Sequence, residues 1–229
     1  MKKQFYFLFF FLLAGFMSQA QFKKGDILLG GDLSVSTQSV NNSNPYSDKQ
    51  TSFGISPSVG KFINDNTLIG IQAGYYHLNE KQNNSGATIV NNSSNTYSAG
   101  VFLRRYKSLG SHFYVFLQPR LLALYNRVKN MYSDSTQPES KSNGYNINLG
   151  LAPGIAYSFN DKLMVELSFQ NLFYANYGHS KLSEQDSQGA VTNTFRNTGF
   201  NIGTGLNNGR ISNIAVGFKF LFGHKSQGA

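Results

Sequence analysis

The sequence predicts an all-β fold: an eight-stranded antiparallel up-and-down transmembrane β-barrel with long extracellular loops and short periplasmic turns. Three observations lead there. The first is a two-residue rhythm, clearest from Tyr145 to Phe159, where odd positions are large (Tyr145, Ile147, Leu149, Leu151, Ile155, Tyr157, Phe159) and even ones small or amide (Asn146, Asn148, Gly150, Ala152, Gly154, Ala156, Ser158). That is the period of a strand with one apolar face, and it outlasts the roughly 9–11 residues that a tilted strand needs to cross a bilayer. The second is that no long apolar run follows residue 20, which removes transmembrane helices and leaves a closed barrel as the way to satisfy the backbone in lipid. The third is that the polar connections alternate between long and tight, as they do in membrane barrels.

Alternation and turn residues place strands at Gly25–Thr37, Thr51–Phe62, Thr67–Leu78, Thr96–Tyr106, His112–Val128, Tyr145–Phe159, Lys162–Tyr174 and Ile211–Phe222. Tight turns fall at Asn64-Asp65-Asn66, Lys107–Ser111 and Asn160-Asp161. The long connections, Gln38–Gln50, Asn79–Asn95, Lys129–Gly144 and Ala175–Arg210, are rich in Asn, Ser, Gly and Thr and carry too little apolar area to fold independently. The last can hold a hairpin of its own around Thr194–Gly203, but not two further spanning strands. This order puts both chain ends on the periplasmic side. Pro57, Pro119 and Pro153 interrupt strand interiors, where β-bulges are expected.

Residues 1–20 read as a secretory signal peptide. Lys2 and Lys3 precede an apolar run from Phe5 to Phe16, and Ser18-Gln19-Ala20 offers small residues for cleavage after Ala20. Residues 21–229 then form the barrel domain. The chain has no Cys, so neither disulfides nor thiol chemistry contribute. Its formal charge of +9 falls to +7 without Lys2 and Lys3. In an exported chain with few clustered Lys and Arg, that balance points to anionic lipid headgroups and not to nucleic acid.

Period two alone does not say which face looks outward. Only 14% of the residues are charged, and the small face is mostly Gly, Ser, Ala and Asn. It would make a poor exterior in water but suits a crowded barrel interior, so the large face is assigned to lipid. Phe53, Tyr75, Tyr97, Tyr125, Tyr145 and Phe173 then form an aromatic girdle at the loop ends, and Phe113, Tyr157, Phe159, Phe220 and Phe222 a second at the turn ends. Arg105 and Lys61 share the lipid parity close to the turns, where their heads can reach the headgroups. Inside, Asp32, Arg104, Arg120, Glu166 and Lys219, with Gln72, Gln118 and Gln170 beside them, are expected to pair as a lumen charge network, because enclosed charges need partners. A barrel of eight strands can fill its interior with side chains, which argues against a wide pore.

Chemistry is sparse. Glu166 could serve as a catalytic or relay carboxylate, but neutralising the lumen explains it without further assumption. His179, Ser180, Ser183 and Glu184 superficially match the residue types of a lipid A deacylase, yet not the spacing, and read as an ordinary polar loop. His77, His112 and His224 have no metal-ligand spacing. No catalytic residue, metal site or cofactor is expected. Arg127 and Lys129, just beyond Tyr125, stand where lipopolysaccharide phosphates would lie and are candidate contacts.

With its leader, eight alternating strands and a last strand, Ile214-Ala215-Val216-Gly217-Phe218-Lys219-Phe220-Leu221-Phe222, that ends in an aromatic, the chain resembles the OmpA/OmpX-like outer-membrane β-barrel domain family. The resemblance implies that Phe220 and Phe222 carry the aromatic end signal read by the barrel-assembly machinery. Gly223–Ala229 follow that signal, and no peptidoglycan-binding domain does. The expected protein is a monomer in the outer membrane of a Gram-negative bacterium, in contact with lipid and lipopolysaccharide. Its expected role is non-enzymatic: envelope-structural, or surface interaction through extracellular loops. The alternatives are a narrow, porin-like channel or transporter for small solutes, and an assembly or secretion factor of the outer membrane.

Overall fold

A computed structural model describes residues 22–41, 47–83, 89–110, 112–132, 139–185, 190–207, 210–211 and 214–223. Residues 1–20, expected to be a signal peptide, and His224 lie outside the described residues. The strands, in chain order, are β1 (Ile27–Asn41), β2 (Ser47–Asn64), β3 (Thr67–Asn83), β4 (Ile89–Ser108), β5 (Phe113–Tyr132), β6 (Glu139–Ser158), β7 (Leu163–Phe169), β8 (Phe173–Gln185), β9 (Val191–Thr204), β10 (Leu206–Asn207), β11 (Arg210–Ile211) and β12 (Ile214–Phe222). Among the described residues there is no helix. Eight strands close an antiparallel ring, β1-β2-β3-β4-β5-β6-β7-β12 and back to β1.

The ring is complete only toward the turn end. β12 meets β1 from Ile27 to Leu33, and β1 continues to Asn41 paired with β2 alone among the described residues. β6 likewise changes partner: Gly154–Ser158 face β7, whereas Glu139–Leu151 face β8, onto which β9 folds back as a hairpin. The expected single strand Lys162–Tyr174 is therefore two, broken where Asn171 takes φ 58°, a left-handed conformation that Asn tolerates better than most residues. The Leu172 amide donates across the break to the Leu151 carbonyl at 2.8 Å.

The strands also run far past their expected loop ends. Residues 38–41, 47–50, 79–83, 89–95, 129–132, 139–144, 175–185 and 191–204, assigned to long loops from composition, are strand. The physical reason is that alternation reports a difference between two environments. Where both faces of a sheet meet water, no residue pattern marks the strand, yet the backbone ladder persists. Residues 42–46, 84–88, 133–138 and 186–189 lie outside the described residues.

No bulge forms at the prolines. The recorded register shifts are at Phe62/Asn64 and Glu184/Gln185 instead. Alternate residues of a strand direct their N–H groups to alternate neighbours, so a proline weakens one ladder and spares the other. Pro57 stays in register with Gly31 of β1, and the β3 ladder skips it and resumes unshifted. Pro119 and Pro153 stay paired with Leu151 and Leu117, and Pro153 sits where β6 switches from β8 to β7.

The outward parity is apolar: Leu29, Ile71, Val101, Leu121, Leu149 and Phe218 are each more than a third exposed. From Phe113 to Tyr125 the outer face of β5 runs for about 40 Å at ~3.3 Å per residue, or roughly 30 Å of height at barrel tilt, close to the apolar band of an outer-membrane barrel. β5 then rises about another 20 Å to Tyr132.

Candidate functional site

The lumen holds the chemistry, and it is layered. At the turn end Phe22, Phe62, Phe102, Tyr106, Tyr114 and Phe116 cluster with Leu28, Leu68, Met164 and Leu221. Phe22 stacks on Phe62 at 4.7 Å between ring centroids. It is held there because the Gly25 amide donates to the Phe62 carbonyl and the Phe62 amide to the Asp26 carbonyl, while the Lys24 amide donates to Asp65. Gly25 makes the bend at φ 100°, a conformation that side chains disfavour.

Above this plug lies a layer of ion pairs. Arg104 Nη1 lies 2.7 Å from both Glu166 oxygens, and its Nε donates to Gln118 Oε1 at 2.6 Å. Tyr106 Oη donates to Glu166 Oε1 at 2.8 Å. Lys219 Nζ is 3.0 Å from Asp32 Oδ1 and 3.9 Å from Glu166 Oε2. Arg104, Glu166 and Lys219 are 3%, 1% and 1% exposed. The Arg104 guanidinium also rests 4.5 Å from the Phe116 ring centroid.

The backbone makes room for these side chains with glycine. Across the ladders Lys219 faces Gly30, Asp32 faces Gly217, Arg120 faces Gly150, Phe102 faces Gly70 and Phe116 faces Gly154. A Cβ at Gly30 would sit 2.7 Å from Lys219 Cδ, and one at Gly150 would sit 2.6 Å from Asn171 Oδ1. The small face of the sequence is thus the complement of the large lumen side chains.

Arg120 stands apart from the four-charge network. Its Nη1 donates to Gln170 Oε1 and its Nη2 to Asn171 Oδ1 at 2.8 Å, so it holds the β7–β8 break from inside. Over it opens a cavity of about 370 Å³ toward the loop end, lined in part by Asp32, Ser34, Ser56, Gln72, Ser98 and Arg120.

On the outside, Tyr75, Tyr97, Tyr125 and Tyr145 are register partners across four neighbouring strands, with ring centroids 5.4 Å apart for Tyr75–Tyr97 and 4.9 Å for Tyr125–Tyr145. Phe53 and Phe173 are exposed on the same face. At the turn end Phe113, Tyr157 and Phe159 make successive ring contacts, and Phe220 and Phe222 are exposed. Beyond Tyr125, Arg127 Nε donates to the Tyr125 hydroxyl at 3.1 Å, and Lys129 pairs with Glu139 at 3.4 Å in the open. The Tyr125 hydroxyl holds the Arg127 guanidinium above its usual range.

His179, Ser180, Ser183 and Glu184 lie on β8 and not in a loop. His179 and Glu184 point to opposite faces of the strand and bond separately, to Thr198 and Asn193, so they do not assemble into a relay. His77 meets Asn95, and His112 packs near Tyr157.

Residues 8–207 match a known family, the outer membrane protein beta-barrel domain. The chain belongs to that family. Solved structures that resemble this outer-membrane barrel include the outer membrane protein OprG from Pseudomonas aeruginosa, with 12% identity, a TM-score of 0.48 and coverage of 89% of this chain and 99% of that one. A major outer membrane protein from Thermus thermophilus has 11% identity, a TM-score of 0.45 and coverage of 86% and 99%. Neisserial surface protein A has 18% identity, a TM-score of 0.40 and coverage of 86% and 97%. No curated protein matches the sequence.

Two features of the barrel go beyond what residue pattern shows. The aromatic plug is legible only in part: Phe62, Phe102, Tyr106, Tyr114 and Phe116 all sit on lumen parity, but parity does not single them out as a group. The Arg120 contacts with Asn171 depend on the β7–β8 break, which no turn residue other than Asn171 itself announces.

Proposed function

We propose that this outer-membrane protein is a monomeric, non-conducting and non-enzymatic barrel that works at the cell surface: a sealed anchor below, a tall β-wall for interaction above. One observation carries the reading. The Arg104–Glu166–Lys219–Asp32 layer and the aromatic plug beneath it close the turn half, and an ion crossing them would have to part buried charges, which costs several kcal/mol. The exposed β8–β9 hairpin supports the upper part of the proposal, with Phe195, Phe200 and Ile202 in the open. In the same reading the turn end faces the periplasm, Phe220 and Phe222 serve the barrel-assembly machinery, and Arg127 and Lys129 meet lipopolysaccharide phosphates.

The test is single-channel recording of the mature chain refolded into a planar bilayer, with heat-dependent gel mobility as the control for folding. A silent bilayer is the expected result. Steady openings that increase on Glu166→Ala would overturn it in favour of a channel, the reading that the 370 Å³ cavity above the charged layer would then serve.

A further inference from the structure

We propose that the cavity above Arg120 is a binding site for a small organic monocarboxylate, with the Arg120 guanidinium as its anchor. The inference goes beyond the surface role and holds whether or not the barrel conducts.

Charge is the first observation. The lumen network expected from the sequence contains three cations, Arg104, Arg120 and Lys219, and two carboxylates, Asp32 and Glu166, so it carries one positive charge in excess. The geometry identifies which. Arg104 and Lys219 each lie within 4 Å of a carboxylate, whereas no carboxylate within that distance pairs with Arg120 among the described residues. Its two contacts, Gln170 and Asn171, are neutral amides.

The second observation is an open donor. Arg120 is only 8% exposed, and its Nε is buried without a hydrogen-bond partner among the described residues. A buried cation with an idle donor is costly unless an anion answers it. That donor sits close to the glycine opposite: a Cβ at Gly150 would lie 3.4 Å from Nε. The same Cβ would lie 3.0 Å from the Oδ1 of Asn148, which is buried and also without a partner among the described residues.

The third observation is room of the right character. The cavity's roughly 370 Å³ falls at the small end of ligand pockets. Ser34, Ser56 and Ser98 give its wall hydroxyls, and Leu122 and Leu124 give it an apolar side. Val35 and Ile214, from the outward faces of β1 and β12, also line it, at the height where β12 has left the upper part of β1. A planar carboxylate matches a guanidinium edge, and a single negative charge cancels the excess, whereas a dianion would reverse it. A short aliphatic body fits the leucine side.

The experiment is ¹H–¹⁵N NMR of the Arg120 Nε–Hε resonance, assigned through the backbone, in protein refolded in micelles and titrated with butyrate. n-Butanol and, at matched ionic strength, chloride are the comparisons. The expected result is a saturable shift with butyrate that neither comparison reproduces. Asn148→Asp, nearly isosteric, tethers a carboxylate beside Gly150 and is expected to weaken butyrate by at least about tenfold through charge repulsion and occupation of Nε. Because the wild-type titration stands alone, misfolding of the variant does not rescue the proposal. A resonance that butyrate leaves in place, an equal shift with butanol or chloride, or unchanged butyrate affinity in folded Asn148→Asp would each overturn it.

Discussion

The two halves of this barrel obey different rules. In the turn half the ring is closed, several large inward side chains lie opposite a glycine of the next strand, and every charge of the four-charge layer has an opposite charge within 4 Å. In the loop half β12 has ended, β9 is paired only through β8 among the described residues, and Asn, Ser and Thr replace the apolar alternation. The contrast separates two sources of order. Packing specifies the lower half residue by residue, while the upper half is held by backbone ladders that ask little of any side chain.

The largest expected effect comes from breaking the packed half at its charge. Glu166→Gln removes the partner of Arg104 and weakens the hold on Lys219, leaving buried cations that desolvation penalises. A loss of about 3–5 kcal/mol is expected, read from urea unfolding in vesicles followed by gel mobility. The matching deletion above, Lys129→Ala, removes an exposed pair and should change stability by less than ~1 kcal/mol. Similar losses at the two sites would dissolve the distinction.

Glycine gives a finer comparison. Gly154→Val puts a branched side chain into the Phe116 ring, which is closed in by Arg104, and overpacking of about 1–3 kcal/mol is expected. At Gly199 on β9 a Cβ meets nothing within 4 Å. Gly199→Val should be neutral within ~0.5 kcal/mol or slightly stabilising, because a strand interior favours β-branched residues. The same vesicle assay serves both.

Hydrogen exchange should draw the boundary directly. Amides of β12 and of β1 from Ile27 to Leu33 are paired on both sides within the closed ring and should exchange only with global unfolding. Amides of β9 should exchange through local opening, orders of magnitude faster. If β9 were as protected as β12, something besides β8 would have to cover its edge.

What can be read from the sequence follows the same boundary. The strands' turn-end limits are near those seen, because there one face meets lipid and the other a packed lumen, and alternation records the difference. The wall segments 79–83, 89–95, 175–185 and 191–204 read as loop because their residues show no sustained alternation between an apolar and a polar face. Asp32, Arg104, Glu166 and Lys219 share one layer of the lumen, which parity alone brings within reach of one another. That Arg120 instead holds the β7–β8 break, beside Gln170 and Asn171, depends on a change of pairing partner that residue type does not encode.

The smallest expected effect lies in the upper wall, where charges are loosely managed. Asp48 on β2 pairs across the ladder with Gln82, which puts Glu80 on the same face one diagonal away. Partial burial first, then the nearby Glu80 charge, holds the Asp48 carboxyl above its usual range. A carboxyl that takes up a proton more readily in the folded chain than in the unfolded one costs stability when ionised, and the cost disappears as pH falls through the raised value. The outer β2–β3 ladder should therefore be weakest near neutral pH and tighten on acidification. Asp48→Asn should remove the penalty at pH 7, by a few tenths of a kcal/mol given the solvent screening, and should lose that advantage below about pH 4, where the wild-type carboxyl is itself neutral. Protection factors of the Lys49 and Lys81 amides, corrected for the intrinsic pH dependence of exchange, would measure it. A variant advantage that persisted at low pH would assign the effect to packing at Asp48 and not to its charge.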